Sequence, residues 1–181
     1  MVSLLVDIYE ISAVVAALGV VIGVVYYVLD MRNQTRMRKT DMLMKLYQSS
    51  TNNEFMDAFW KVMSLQVKDY QDYVKQYGEL SETDNPMNRA FFTTAAFYEM
   101  VGILLLRKLI DLVTVYDVWG STNPITLFEK IKPIVLNLRR ELNEPAMFMG
   151  FEYLCAELKR KEPQLKKTLN EAFAKTSSQT S

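Results

Sequence analysis

The chain has 181 residues, half of them apolar, with 21 basic and 21 acidic residues and no histidine. Zero net charge gives no overall field to attract nucleic acid, and without histidine the commonest general base, the commonest zinc or iron ligand and every Ser-His or Cys-His pair are missing. A single cysteine, Cys155, excludes an intrachain disulfide and a thiolate metal cluster.

In chain order, the first element is Ile11–Leu29, nineteen consecutive uncharged and mostly apolar residues. As a helix this run is about 28 Å long, close to the hydrocarbon thickness of a bilayer. Asp7 and Glu10 precede it, whereas Arg32, Arg36, Arg38 and Lys39 follow it. Basic residues favour the cytoplasmic side, so the N-terminus is expected outside the cell membrane and the rest of the chain inside. A cleaved signal peptide is the competing reading. It would need a basic leader, a shorter apolar stretch and small residues before the cut, and Tyr26-Tyr27-Val28-Leu29 offers none of that.

No glycine or proline occurs between Gly23 and Gly78, so the membrane helix is expected to continue as a juxtamembrane helix to about residue 50. Ser49–Asn53 is a polar break with good N-capping residues. Phe55, Phe59, Val62, Met63, Val67, Tyr70, Tyr73, Val74 and Tyr77 then recur at three and four, predicting one helix that Gly78 ends. Asn85-Pro86 starts the next, as cap and first helical residue. Its stretch Ala90–Leu106 is apolar except for Glu99. This stretch is short for a second span and carries a central carboxylate, so it is expected as the surrounded helix of a bundle. A short turn over Thr114–Trp119 closes at Gly120, and Ser121-Thr122-Asn123-Pro124 repeats the cap-then-proline start. The helix from Pro124 to about Asn143 is expected to kink at Pro133. Pro145 is expected to open a helix to about Lys161, Pro163 to restart a last amphipathic one, and Thr176–Ser181 to form a disordered tail.

The predicted fold is therefore all-α, a single N-terminal transmembrane helix followed by a cytosolic helical bundle. Its parts are a tail and span over 1–30, a juxtamembrane helix over 31–50, a bundle over 51–175 and a tail over 176–181. The segments Met31-Arg32-Asn33-Gln34-Thr35-Arg36, Tyr98-Glu99-Met100-Val101-Gly102-Ile103, Arg107-Lys108-Leu109-Ile110-Asp111, Phe128–Ile134, Asn143-Glu144-Pro145 and Phe151-Glu152-Tyr153-Leu154 carry a resemblance. Together they resemble an uncharacterised prokaryotic family, classed as a domain of unknown function, of small membrane proteins with one N-terminal transmembrane helix and a helical cytosolic domain. The resemblance implies that architecture and brings no activity, cofactor or catalytic residue.

Chemistry has few candidates. Glu99 is either a carboxylate with a perturbed pKa at a site or, as favoured here, half of a buried ion pair with Arg89, Arg107, Arg139 or Arg140. Cys155 lies on a core stripe with no base to activate it. No phosphate loop, metal site or cofactor site is expected. Binding has more to stand on. Ser12, Ala16, Gly19 and Gly23 form a small-residue stripe that suits close helix packing in a membrane. Arg32, Arg36, Arg38 and Lys39 suit anionic lipid headgroups, although orienting the helix already accounts for them. The expected partners are the lipid bilayer and a protein partner or second copy. The expected function is a membrane-anchored, non-catalytic interaction or structural protein, such as an accessory subunit or homo-oligomer. Tyr70, Tyr73, Tyr77, Met147, Phe148 and Met149 are expected to expose a docking face. The alternative is a membrane-tethered signalling module, small-ligand sensor or enzyme built around Glu99.

Overall fold

The computed structural model describes the backbone of residues 2–179 except position 83, and the side chains of residues 19–171 and 173 with the same exception. Among the described residues it is all-helical, with no strand. The helices are α1 (Val2–Thr51), α2 (Asn53–Met63), α3 (Tyr70–Tyr77), α4 (Pro86–Leu106), α5 (Leu112–Trp119), α6 (Thr122–Glu141) and α7 (Met149–Gln179). The chain forms two compact units, divided between Met44 and Lys45.

The first unit is helical throughout its described residues, as expected from the absence of breakers. Its apolar residues from Val20 to Leu29 are uncovered, with Val20 66% and Tyr26 72% exposed. In the second unit, capping sets most boundaries. Asn52 Oδ1 accepts from Phe55 N at 2.7 Å, starting α2 one residue after α1 ends. Asn85 accepts from Met87 N, with Pro86 inside the first turn of α4. Gly78 (φ 80°) and Gly120 (φ 69°) end α3 and α5 in left-handed geometry.

Several boundaries differ from the sequence reading. The single helix expected from Phe55 to Tyr77 is two, α2 and α3. Ser64 closes α2, and Asp69 caps α3 by accepting from Asp72 N at 2.8 Å. The break turns Leu65 into the core, only 2% exposed, while Lys130 Nζ donates to its carbonyl at 2.9 Å. The first of the expected proline starts holds, but Pro124 lies inside the first turn of α6 rather than opening it. Ser121 precedes that helix without a side-chain cap bond and donates instead to Glu162 Oε1 at 2.7 Å. Pro163 does not restart a helix: α7 passes through it and continues to Gln179, four residues into the expected tail. Thr180 and Ser181 lie outside the described residues.

Helix α4 is the centre of the second unit, packed chiefly against α7 and α2. Tyr98 stacks on Phe151 (ring centroids 4.9 Å apart), which also meets Phe128 edge-on at 4.9 Å. Val101, Leu154 and Leu158 complete this layer, each fully buried. The Ala90–Leu106 stretch is buried on one side only: it was expected to be surrounded, but Phe92, Met100, Ile103 and Leu106 are exposed.

A buried polar group joins α3 to α4. Tyr73 and Asn88 are both fully buried. The Tyr73 hydroxyl donates to Asn88 Oδ1 at 2.6 Å, and Asn88 Nδ2 donates to the carbonyls of Glu79 and Glu82 at 2.6 and 2.9 Å. One amide thereby satisfies three groups that would otherwise be stranded away from water. Replacing Asn88 by Ala should cost about 2–4 kcal/mol of unfolding free energy in urea titrations of the full chain in micelles, against about 1 kcal/mol for Tyr73→Phe. The double variant should cost less than the sum of the two, because Tyr73→Phe removes a hydroxyl that Asn88→Ala leaves unpaired. Strict additivity would mean that the two side chains do not act together.

Candidate functional site

Glu99, the residue singled out for possible chemistry, sits in the second half of α4, one turn before Gly102. There α4 and α7 cross at minimal distance. A Cβ added at Gly102 would come 1.8 Å from the carbonyl oxygen of Gly150, and one at Gly150 would meet the Glu99 carbonyl oxygen at 2.7 Å. Only two glycines facing each other allow this approach. Its consequence is that the first turn of α7 starts against the Glu99 carboxylate.

Helix α7 lacks a capping side chain of its own. Phe148 stands immediately before it in left-handed geometry (φ 56°) and carries no acceptor. Glu99 supplies one from the neighbouring helix, its Oε2 accepting from Phe151 N at 2.7 Å. A carboxylate at this end also meets the positive pole of the helix dipole. The partner of Glu99 is thus a backbone N–H, and Glu99 is half-buried. The ion pairs among the described residues leave Glu99 out. Arg139, one of its four expected arginine partners, instead pairs with Glu152 at 2.8 Å and donates Nε to the Met147 carbonyl at 2.8 Å. So α4 and α6 each reach the start of α7 with one charged side chain.

The other sequence candidates lie elsewhere. Gly19 and Gly23 have open space where a Cβ would be; Ser12 and Ala16 are in α1, with side chains outside the described residues. Arg32, Arg36, Arg38 and Lys39 are all exposed. Among the described residues no group of histidine, cysteine or acidic side chains could hold a metal ion. Cys155 is buried with Sγ 3.5 Å from the Pro124 carbonyl, and burial pushes its thiol up to about 12. Burial likewise raises the Tyr98 hydroxyl above its usual range. Of the six residues expected to form a docking face, Tyr73 (0% exposed) and Phe148 (9%) are drawn into the core, Tyr70, Tyr77 and Met147 are half-buried, and Met149 is exposed.

Surface clefts among the described residues are lined without Glu99, and two examples follow the helix pairs α2–α4 and α3–α6. One of about 230 Å³ lies between α2 and α4, with Glu54, Asp57, Lys61 and Arg89 on its walls. The other, about 390 Å³, lies between α3 and α6 beside Tyr70, Pro133 and Arg140. On the second, the Tyr70 hydroxyl donates to Glu79 Oε2 at 2.8 Å, and burial together with that carboxylate raises the hydroxyl to about 12. What sequence reasoning missed is the pairing of Gly102 with Gly150. Each occurs singly within apolar sequence, and the available signal was that neither stands at a turn.

Fold and junction together define an all-α protein organised around one glycine-lined helix crossing capped from a neighbouring helix. A family model described as a domain of unknown function (DUF4760) matches residues 6–158. The chain belongs to this uncharacterised family, and the match takes in the crossing. Neither the curated proteins nor the solved structures give a match.

Glu99→Ala should lower stability by about 1–3 kcal/mol, since a buried N–H loses its acceptor, while Glu99→Gln keeps an acceptor and should cost under about 1 kcal/mol, the helix-dipole share. Gly102→Ala should cost more than either, because backbone must move. Thermal melts of the three variants rank the effects, and a Gln variant as damaged as Ala would show that charge dominates.

Cys155 should resist iodoacetamide at pH 8.5 in the folded protein and react in urea. A raised thiol pKa also has a defined sign for stability. The folded state holds its proton after the unfolded chain, near its ordinary value of 9.0, has released it. Stability should therefore fall as pH rises from about 9 towards 12, and Cys155→Ala should flatten that part of the profile.

Proposed function

We propose that this chain is a single-pass, membrane-anchored and non-catalytic interaction protein, with its N-terminus outside and the second unit in the cytoplasm. The observation that carries the reading is the bare apolar surface of α1 from Val20 to Leu29, where every large side chain is at least 42% exposed. Such a continuous uncovered surface is unfavourable in water and favourable in lipid. The acidic residues before the run and the basic ones after it support the orientation.

Helix α4 is also long and apolar enough to cross a membrane. Its buried Asn88 and Thr94, its capping Glu99 and its packing against three other helices support a place in the bundle core instead. Protein contact as the working principle is supported by what α4 leaves uncovered. Met100, Ile103 and Leu106 are 53%, 42% and 52% exposed, with Met149 of α7 at 56%. A ligand sensor built on Glu99 would need that carboxylate free, whereas its Oε2 already serves Phe151.

Topology tests the reading directly. A cysteine at Ser3 should react with an impermeant thiol reagent in intact cells, and one at Ser178 only after lysis. Labelling of Ser178→Cys alone in intact cells reverses the orientation. Labelling of neither in intact cells, with the protein recovered in the soluble fraction after lysis, removes the anchor.

A further inference from the structure

Resting on the anchor reading, we infer that neighbouring copies of this chain pack side by side through α1, the Asp30–Asp41 side of one helix against the Arg32–Arg36–Lys39 side of the next. The first unit is one unbroken helix, so positions around it follow from 100° per residue. Asp30 and Asp41 fall within about 20° of each other, and Arg32, Lys39 and Arg36 lie about 180–240° away on the opposite side. Arg38 and Lys45 flank the acidic side, about 80° and 60° from Asp30. All seven residues are exposed, and the ion pairs among the described residues include none of them. Asp30 accepts a hydrogen bond from Gln34 of its own helix.

Two anchored copies share one bilayer and therefore one height and direction. In flush parallel register, Asp30 of one copy stands about 3 Å along the axis from Arg32 of the next, and Asp41 about 3 Å from Lys39. Both ends of the juxtamembrane segment then match. The membrane part agrees in phase: Gly19 and Gly23 fall within about 20° of the acidic side, and Val21 and Val25 within about 40° of the side opposite. A flat glycine side can thus receive valine side chains of its neighbour, giving close contact within lipid. A symmetric dimer would bring the two glycine sides together, but it would also set Asp30 and Asp41 against the same residues of the partner. Like charges oppose that pairing, and the charges select which sides meet. Unlike sides in contact make a head-to-tail arrangement, which closes into a ring or extends as a row.

The test uses the full chain in phosphatidylcholine–phosphatidylglycerol vesicles, with two variants, Gln34→Cys on the acidic side and Arg36→Cys on the basic side. Arg36 lies at a height between the two aspartates, so its loss leaves both matched pairs intact. A short thiol cross-linker should join the variants when they are reconstituted together and give no product from either alone. The wild-type chain is the blank, since Cys155 is buried. Asp30→Asn with Asp41→Asn, or Gly19→Leu with Gly23→Leu, should abolish most of the mixed product. Product from Gln34→Cys alone means symmetric packing and overturns the proposal, as does product from Arg36→Cys alone or from no combination. Flotation of the vesicles separates the two readings. Protein that floats without mixed product defeats only the packing, and protein that does not float defeats the anchor and the parallel register with it.

Discussion

The contact on which the second unit depends is the backbone approach of Gly102 to Gly150. Packing of aromatic rings tolerates small shifts, but an approach that leaves no room for a Cβ does not. Once it is made, Phe151 is delivered between Tyr98 and Phe128, and Leu154 and Leu158 follow at helical spacing into the same core. The helix dipole and its uncapped amides arrive beside Glu99 as part of the same geometry. The carboxylate is therefore best read as an answer to a problem the crossing creates: a helix end in a half-buried place must find an acceptor, and the preceding Phe148 has none.

The same economy recurs elsewhere in the unit. Asn88 answers the tyrosine hydroxyl and two loop carbonyls between α3 and α4. Ser50 accepts from the Trp119 indole while donating to the Tyr47 carbonyl. Arg139 closes the approach to α7 from α6. Each is a single polar side chain joining one element to another, across neighbouring helices for Asn88 and Arg139 and across 69 residues for Ser50. A protein so built spends its polar chemistry on internal connection.

Local signals in the sequence carried the helix starts within Ser49–Asn53 and at Asn85 and the stops at Gly78 and Gly120, because caps and left-handed glycines act over two or three residues. The Asp111 cap was missed, and α5 starts two residues before the expected Thr114. Periodicity marked Ile125, Phe128, Ile131, Val135 and Leu138 as one side of α6, and all but the half-buried Ile125 are buried. It failed between Met63 and Tyr70, where an apolar repeat at three and four runs on while Leu65 is turned inward by a contact from Lys130, 65 residues away. Pro163 misled in the opposite direction, since proline within a long exposed helix is tolerated when its neighbours already hold the turn. Glu99 could be flagged as an acid in an apolar helix, but its partner could not be named. A backbone N–H leaves no mark in a sequence, and arginine was the visible choice. Phe148 and Lys108 take positive φ without the glycine or asparagine that would advertise it.

The connection from α6 to α7 shows what such a crossing demands of the chain's history. The connection is held at both ends, Glu144 N donating to the Arg139 carbonyl at 3.1 Å and Arg139 Nε to the Met147 carbonyl at 2.8 Å. A residue added or removed between Leu142 and Phe148 would break this pattern and strain the placement of Gly150 against Gly102, where there is no room for a larger side chain. The sequence of this connection is free to drift, since most of its side chains are exposed. Its length is not. Among relatives, insertions and deletions should gather in the other loops, leaving this seven-residue spacer as a ruler whose markings can change while its span stays fixed.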